Sequence, residues 1–205
     1  MSIDIQQRSQ EWYTARLGKV TASRLSDVVA KIKTGEAAGR AGYRAQLVAE
    51  RLTGKPQESF QSQAMDWGTE AEPLARATYE ARTGNLVDAV GFVTHPAIEL
   101  AGASPDGFIG NDGLIEIKCP TTKTHIDTLV NQSVPSKYIP QMLWQMACTG
   151  RDWCDFVSFD PRMPINLQIF IHRVNRDDEL ISFYEKEVVK FLQEVDESIK
   201  KLSAL

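Results

Sequence analysis

The stretch from residue 104 to residue 120 places the strongest constraint on the fold, because its pattern predicts a β-hairpin. Two short apolar runs flank the turn residues Gly110 to Gly113, between which lie an asparagine and an aspartate. These residue types tolerate the backbone angles of tight turns, so the cluster favours a reversal between two antiparallel strands. The second strand is predicted over residues 114–118.

The predicted second strand carries different side chains on its two faces. Successive side chains of a strand alternate, so Ile115 and Ile117 point to one side while Glu116 and Lys118 point to the other. The isoleucines suit a core, whereas a carboxylate and an ammonium need a polar site. The turn also folds Asp106 back towards Glu116, so two carboxylates converge with a lysine beside them.

Two neighbouring carboxylates repel each other, and a hard cation relieves that repulsion. Mg²⁺ prefers oxygen ligands and usually retains several waters. Water held by a metal ion has a lowered pKa, and a nearby lysine can orient or deprotonate it. This pattern predicts a site for phosphodiester hydrolysis. The alternative interpretation is an ordinary hairpin with a Glu–Lys pair on its surface.

The remaining sequence predicts helices at both ends of the chain and strands in the middle. A loop is expected over residues 34–42, and Pro73 predicts a kink or break in the fourth helix. Because helices, strands and then a helix–strand–strand–helix series follow one another, we expect one α/β domain over residues 1–205. Helices are predicted over residues 9–18, 21–32, 43–53, 64–83, 137–149 and 178–202, and further strands over 86–94, 153–159 and 167–174.

Composition excludes several classes of protein. Apolar residues make up 42% and charged residues 24%, which is ordinary for a soluble globular chain and not for a disordered or collagen-like one. No stretch approaches the ~20 apolar residues of a membrane span, and no apolar leader opens the chain, so we expect a cytoplasmic protein without membrane contact. The spacing of Cys119, Cys148 and Cys154 predicts reduced thiols, not a zinc or disulfide framework.

The net charge of −4 conceals an asymmetry along the chain. Residues 1–55 carry ten basic and five acidic side chains, whereas residues 56–116 carry two basic and ten acidic ones. Most of these charges are expected on solvated helix faces. The pattern also predicts a phosphate-binding region at the N-terminus beside an acidic centre that binds cations.

Residues 104–107 and 116–120 resemble the S-P-D-G and E-x-K-C-P motifs of the PD-(D/E)XK nuclease superfamily. Within it, the chain resembles the phage lambda-type exonuclease, or YqaJ-type viral recombinase, family. The resemblance implies a restriction-endonuclease-like core, with a central mixed β-sheet flanked by helices. Further blocks follow in the family's order, namely R-x-G-x-x-T-A-S at 16–23, W-G-x-x-x-E at 67–72, a glutamine helix at 140–145, and Tyr138 with D-P-R-M at 160–163.

The resemblance implies a metal centre and indicates which residues would be its ligands. Asp106, Glu116 and Glu72 would bind Mg²⁺ through their carboxylates, and the backbone carbonyl of Ile117 would help. Two ions are expected, and Mn²⁺ can substitute for Mg²⁺. Glu70 is the competitor of Glu72, since two residues separate them and they cannot share a helix face.

Two further polar residues receive roles from the same resemblance. Lys118 would be the catalytic lysine, and Gln141 would position water or metal. Gln145 is interpreted as a polar residue on a helix face without a catalytic role.

A DNA phosphate would be held by Arg16, Ser23 and Ser104, with the N-terminal residues 1–55 contributing to DNA binding. Ser23 has the alternative role of a helix N-cap. The family can carry another basic group after the E-x-K-C-P block. Lys123 is the nearest candidate here, and Thr124 is the alternative.

The activity implied by the resemblance is Mg²⁺-dependent 5′→3′ exonuclease digestion of one strand of linear duplex DNA. Mononucleotides would be released, and the remaining 3′ single strand would enter recombination. The family assembles as a ring-shaped homotrimer around DNA and works with a single-strand annealing protein. The alternatives are another PD-(D/E)XK enzyme, such as an endonuclease or resolvase, and a non-catalytic DNA-binding module.

Overall fold

A four-stranded mixed sheet carries the predicted hairpin at one edge. The computed structural model describes residues 6–57 and 63–205, without the side chains of 63–65. Ile109 pairs with Gly113, so the chain reverses where the turn residues predict it. In sheet order the strands are β4 (Gly107–Ile109), β5 (Gly113–Lys118), β6 (Trp153–Phe159) and β7 (Ile169–Asn175), with β5 and β6 parallel and the other pairs antiparallel.

Helices cover both faces of this sheet, as the resemblance to the PD-(D/E)XK superfamily predicted, and place β5 in the interior. Ile115 and Ile117 pack with Tyr79 in one apolar cluster, which confirms the face predicted for the isoleucines. Leu114 belongs to a second, larger cluster on the opposite face. The helices are α1 (Gln10–Arg16), α2 (Leu25–Val28), α3 (Ala38–Thr53), α4 (Gln63–Thr83), α5 (Thr122–Asn131), α6 (Ile139–Thr149) and α7 (Asp178–Ser203).

A second, three-stranded sheet supports the start of the chain. Its order is β1 (Val20–Thr21), β3 (Ala101–Ala103) and β2 (Val93–Thr94), with β1 and β3 parallel. Gly102 lies where no side chain would fit, since a Cβ atom there would come within 2.3 Å of the Phe92 ring. Because β1 pairs with β3, the segment that follows Arg16 lies beside the strand that leads into Ser104.

Several predicted boundaries are wrong, chiefly in the N-terminal half. The helix expected from residue 21 is a short strand, one 3₁₀ turn over Ala22–Arg24 and the four-residue α2. The expected loop over 34–42 gives way to α3 at Ala38, and strand 86–94 shrinks to β2 apart from an isolated bridge at Asp88. Helix α5 was not predicted.

Helix α4 is not broken at Pro73. Pro73 is exposed, whereas Ala71, Ala75 and Tyr79 are buried. Packing of that buried side against the sheet keeps the segment helical despite the missing backbone donor.

Among the described helices, none combines the length and apolar character needed to cross a membrane.

A buried polar contact joins α4 to the sheet. The Tyr79 hydroxyl donates to Asp155 Oδ2 at 2.7 Å, and Arg173 donates to both oxygens of the same carboxylate at 2.8 and 3.0 Å. Asp155 is opposite Ile115 in the β5–β6 register. The contact therefore fixes α4, and with it Glu72, relative to the strand that carries Glu116.

We predict that Tyr79→Phe lowers the free energy of unfolding by about 1–3 kcal/mol, because the buried Asp155 carboxylate loses one donor. Urea unfolding of the purified protein measures the change. Tyr13→Phe is the matched control, since Tyr13 is 45% exposed and should change stability by less than about 0.5 kcal/mol. Equal stability of Tyr79→Phe and the unsubstituted protein would contradict a structural role for this contact.

Candidate active site

Glu116 lies at the centre of the site, with a carboxylate that is almost entirely buried. The residue is 1% exposed because α6 covers its face of the sheet. Its Oε1 atom accepts from Gln141 Nε2 at 2.6 Å and lies 2.5 Å from Lys118 Nζ, and its Oε2 atom accepts from Gln145 Nε2 at 2.6 Å. The buried charge is therefore compensated by one cation and two neutral amides, as buried carboxylates require.

Asp106 stands beside Glu116, as the hairpin predicted. The β4–β5 register pairs Gly107 with Ile115, and Asp106 Oδ2 accepts from the backbone N–H of Ile117 at 2.6 Å. Burial raises the pKa of Asp106 well above its usual range, and the charges of Glu116 and Glu72 raise it further against the opposing charge of Lys118. Two carboxylates therefore act on Asp106 in the same direction as burial, and one ammonium opposes them.

Lys118 occupies the position predicted for the catalytic lysine. Burial alone would lower the pKa of Lys118, but Glu116 and Asp106 outweigh burial and raise it. Its Nζ atom also lies 5.2 Å from the centre of the Tyr138 ring. The ammonium is therefore held in the charged form between the carboxylates and an aromatic face.

Glu72 and Glu70 differ in where α4 places them. Glu72 lines a cavity of about 950 Å³ together with Asp106 and Lys118, whereas Glu70 is exposed and does not line it. Arg8 Nη2 donates to Glu72 Oε2 at 2.9 Å. The geometry favours Glu72 as the acidic residue of the site.

The donor set fits a hard divalent cation, although it is not preassembled. In the described part of the chain, no three Asp, Glu, His or Cys side chains form a ready metal-binding group. Lys118 and the two glutamines occupy the oxygens of Glu116, and Arg8 occupies Glu72. Carboxylates and the Ile117 carbonyl are nevertheless the oxygen ligands that Mg²⁺ prefers.

Arg16, which lines the same cavity, contacts Ser104. Ser104 Oγ accepts from Arg16 Nη1 at 3.2 Å and from Trp12 Nε1 at 2.9 Å, so its own hydrogen is available to a ligand. The Arg16 guanidinium lies 4.0 Å from the centre of the Trp12 ring. Burial lowers the pKa of Arg16. A half-buried guanidinium that lines a cavity is suited to bind a phosphate.

The other two residues predicted to bind phosphate are placed differently. Ser23 lines the same cavity as Arg16, but it is inside a 3₁₀ turn and caps no helix. Thr21 precedes that turn and makes no side-chain capping bond, so the predicted hydroxyl N-cap is wrong. Lys123 is exposed on α5 and does not line the cavity, and its alternative Thr124 contacts Thr121.

The sequence did not predict the contacts that three further residues make with the acidic residues of the site. Gln145 was interpreted as a polar residue on a helix face, yet it is wholly buried and bound to Glu116. Its spacing of four residues from Gln141 was the available signal, because residues i and i+4 share a helix face. Arg8 and Arg76, which donates to the backbone carbonyl of Asp106, gave no local signal.

Comparison with known proteins gives the family of this chain. The model of the YqaJ-like viral recombinase domain matches residues 11–152, which include Arg16, Glu72, Asp106, Glu116 and Lys118. The chain belongs to this family. No curated protein matches it.

Three solved structures of exonucleases are similar to this chain. The alkaline exonuclease LHK-Exo from Laribacter hongkongensis is 51% identical, with a TM-score of 0.90 over 96% of this chain and 97% of that one. LHK-Exo in complex with dAMP is 52% identical, with the same TM-score and coverage. A phage-related exonuclease from Haemophilus somnus 129PT, 17% identical with a TM-score of 0.74 over 90% of this chain and 96% of that one, shares the fold. The expected family, core fold and enzyme class, a nuclease, are confirmed.

We predict that Asp106→Asn stabilises the metal-free protein at pH 7–8. The raised pKa means that the folded state binds the Asp106 proton more tightly than the unfolded chain, so stability falls as the pH rises through the folded pKa. Asparagine removes this charge and keeps an acceptor for Ile117. The thermal midpoint should rise by about 2–4 °C, which corresponds to ~1 kcal/mol in a chain of this size.

Thermal unfolding in EDTA at pH 5 and pH 8 measures the effect. Asp112→Asn, in the exposed hairpin turn, is the control and should leave both midpoints unchanged. A lower midpoint for Asp106→Asn at pH 8 would show that the carboxylate is not repelled by its neighbours.

Proposed function

We propose that this protein is a divalent-metal-dependent exonuclease that digests one strand of linear duplex DNA in the 5′→3′ direction. The observation that carries the proposal is the convergence of Asp106, Glu116 and Lys118 beside a cavity that also receives Arg16. The 51% identity to an alkaline exonuclease, over nearly the full length of both chains, supports it.

Asp106, Glu116, Glu72 and the carbonyl of Ile117 would hold Mg²⁺, with two ions expected and Mn²⁺ able to substitute. A bound Mg²⁺ supplies a Lewis acid and lowers the pKa of water. The three carboxylates concentrate negative charge where a cation is needed. Gln141, which already contacts Glu116, would orient water or the carboxylate.

Lys118 would act on the attacking water or on the charge that develops at the phosphate. Its ammonium is fixed by Glu116, and Asp106 and Glu116 favour its charged form. A positioned cation stabilises a phosphorane-like charge distribution without having to reorganise during the reaction. This role is separate from holding the metal.

The 5′ end of the digested strand would be anchored by Arg16, with Ser104 and Ser23 beside it. Ser104 fixes the guanidinium, and Ser23 lines the same cavity. Anchoring the terminal phosphate would place the next phosphodiester bond at the acidic centre. Lys123 would contact DNA outside this cavity, because it is exposed on α5 and does not line the cavity.

The products would be mononucleotides and a 3′-ended single strand, which a single-strand annealing protein would use in recombination in the cytoplasm. We further propose that three copies form a ring around the duplex. Exposed apolar side chains such as Val130 and Ile165, 76% and 84% exposed, offer surface for contacts between copies. The membership of the YqaJ-like recombinase family supports a role in recombination.

Digestion of linear and closed circular duplex DNA tests the activity. We expect Mg²⁺-dependent release of mononucleotides from linear DNA and none from closed circles, whereas an endonuclease would nick the circles.

Lys118→Ala should digest linear duplex more slowly by ~10²–10⁴-fold at saturating Mg²⁺, because proton transfer or charge stabilisation is lost. Lys137→Ala, which removes an exposed cation beside the same Tyr138 ring, should retain activity. Full rescue of Lys118→Ala by added Mg²⁺ would assign the lysine to metal retention.

Linear duplexes with a 5′-phosphate or a 5′-hydroxyl test the proposed polarity. The phosphate-bearing duplex should be digested faster, because Arg16 can donate two hydrogen bonds to a terminal phosphate. Arg16→Gln should lose most of this preference, and Arg16→Lys should keep part of it, since the charge remains without the paired donors. Equal rates on both ends with the unsubstituted protein would refute the anchor while leaving the metal site in place.

A further inference from the structure

The Glu116 carboxylate is held from the interior by two amides on successive turns of α6. Gln141 Nε2 donates to Oε1 and Gln145 Nε2 donates to Oε2, each at 2.6 Å. Lys118 also contacts Oε1. Within the described residues, Gln145 is the sole side chain that donates to Oε2, so the two oxygens have different environments.

Gln145 is removed from the substrate cavity. It is 0% exposed and does not line the cavity that Asp106 and Lys118 line. Its Oε1 atom lies 4.0 Å from the Cys154 Sγ atom, and a flipped amide would place that oxygen against the carboxylate oxygen of Glu116. The orientation of the amide is therefore fixed, and its N–H group always faces Oε2.

We propose that Gln145 is a positioning residue that holds Oε2 of Glu116 and so turns Oε1, which Lys118 and Gln141 contact, towards the site of the divalent cation. The inference rests on the proposed function. A neutral amide satisfies the buried oxygen without cancelling its charge, so the carboxylate keeps its attraction for the metal. An apolar side chain at this position would leave Oε2 without its donor and the carboxylate held at Oε1 alone, and a lysine or arginine would compete with the cation.

Calorimetric titration of Mg²⁺ or Mn²⁺ into the full chain, without DNA, tests the proposal. Gln145→Met keeps the size of the side chain but removes the donor. Its metal Kd should rise by ~10–100-fold, the usual effect of removing a partner of a metal ligand. At saturating metal, kcat should approach that of the unsubstituted protein, and KM for linear duplex should be unchanged.

The control is Cys148→Ala, which shortens another buried side chain of α6. It should lower the thermal midpoint and leave the metal Kd unchanged. If Gln145→Met does not fold, Gln145→Asn replaces it, because the shortened amide withdraws the donor by one methylene. A folded variant with an unchanged Kd would overturn the proposal, and failure of both variants to fold would assign Gln145 a purely structural role.

The proposed nuclease activity and the positioning role of Gln145 are tested by different outcomes. If the unsubstituted protein binds neither Mg²⁺ nor Mn²⁺ and digests no linear duplex, the proposed function is wrong. If it does both, and Gln145→Met binds metal as tightly, only the positioning role is wrong.

Discussion

The burial of the Glu116 carboxylate is the constraint on which the site depends. A charge that is 1% exposed must be compensated within the protein, and here Lys118, Gln141 and Gln145 supply the donors. Those donors come from the same strand and from α6, which lies against it. The position of α6, and the pairing of β5 with its neighbours, are therefore conditions for a stable site.

Electrostatics link the acidic centre to the basic N-terminal region. Burial raises the pKa of Asp106, and the charges of Glu116 and Glu72 raise it further against the opposing charge of Lys118. Arg8 comes from the basic segment to pair with Glu72, while Arg16 faces the same cavity. One cavity thus offers carboxylates to a cation and a guanidinium to a phosphate, which is the charge arrangement that the proposed cleavage of a phosphodiester would need.

Local patterns predicted the parts of the site that lie close together in the chain. Strand alternation separates Glu116 and Lys118 from the isoleucines, and a four-residue turn brings Asp106 alongside. These three residues needed no knowledge of distant segments. Glu72 required the family resemblance, because the choice between it and Glu70 depends on how α4 lies against the sheet. Arg8 could not be assigned, since its partner is 64 residues away, and Gln145, with a partner 29 residues away, offered only its spacing from Gln141 as a signal.

The same distinction holds for the fold. The hairpin, the bounds of β6 and the glycine ends of α3, α4 and α6 follow from short-range periodicity and turn chemistry, and the sequence by itself determined them. Tertiary structure decided that β1 pairs with β3, that α4 passes through Pro73 unbroken, and that α6 covers Glu116. Local propensity is weak for short or interrupted elements, and burial against distant segments supplies the free energy that settles their conformation.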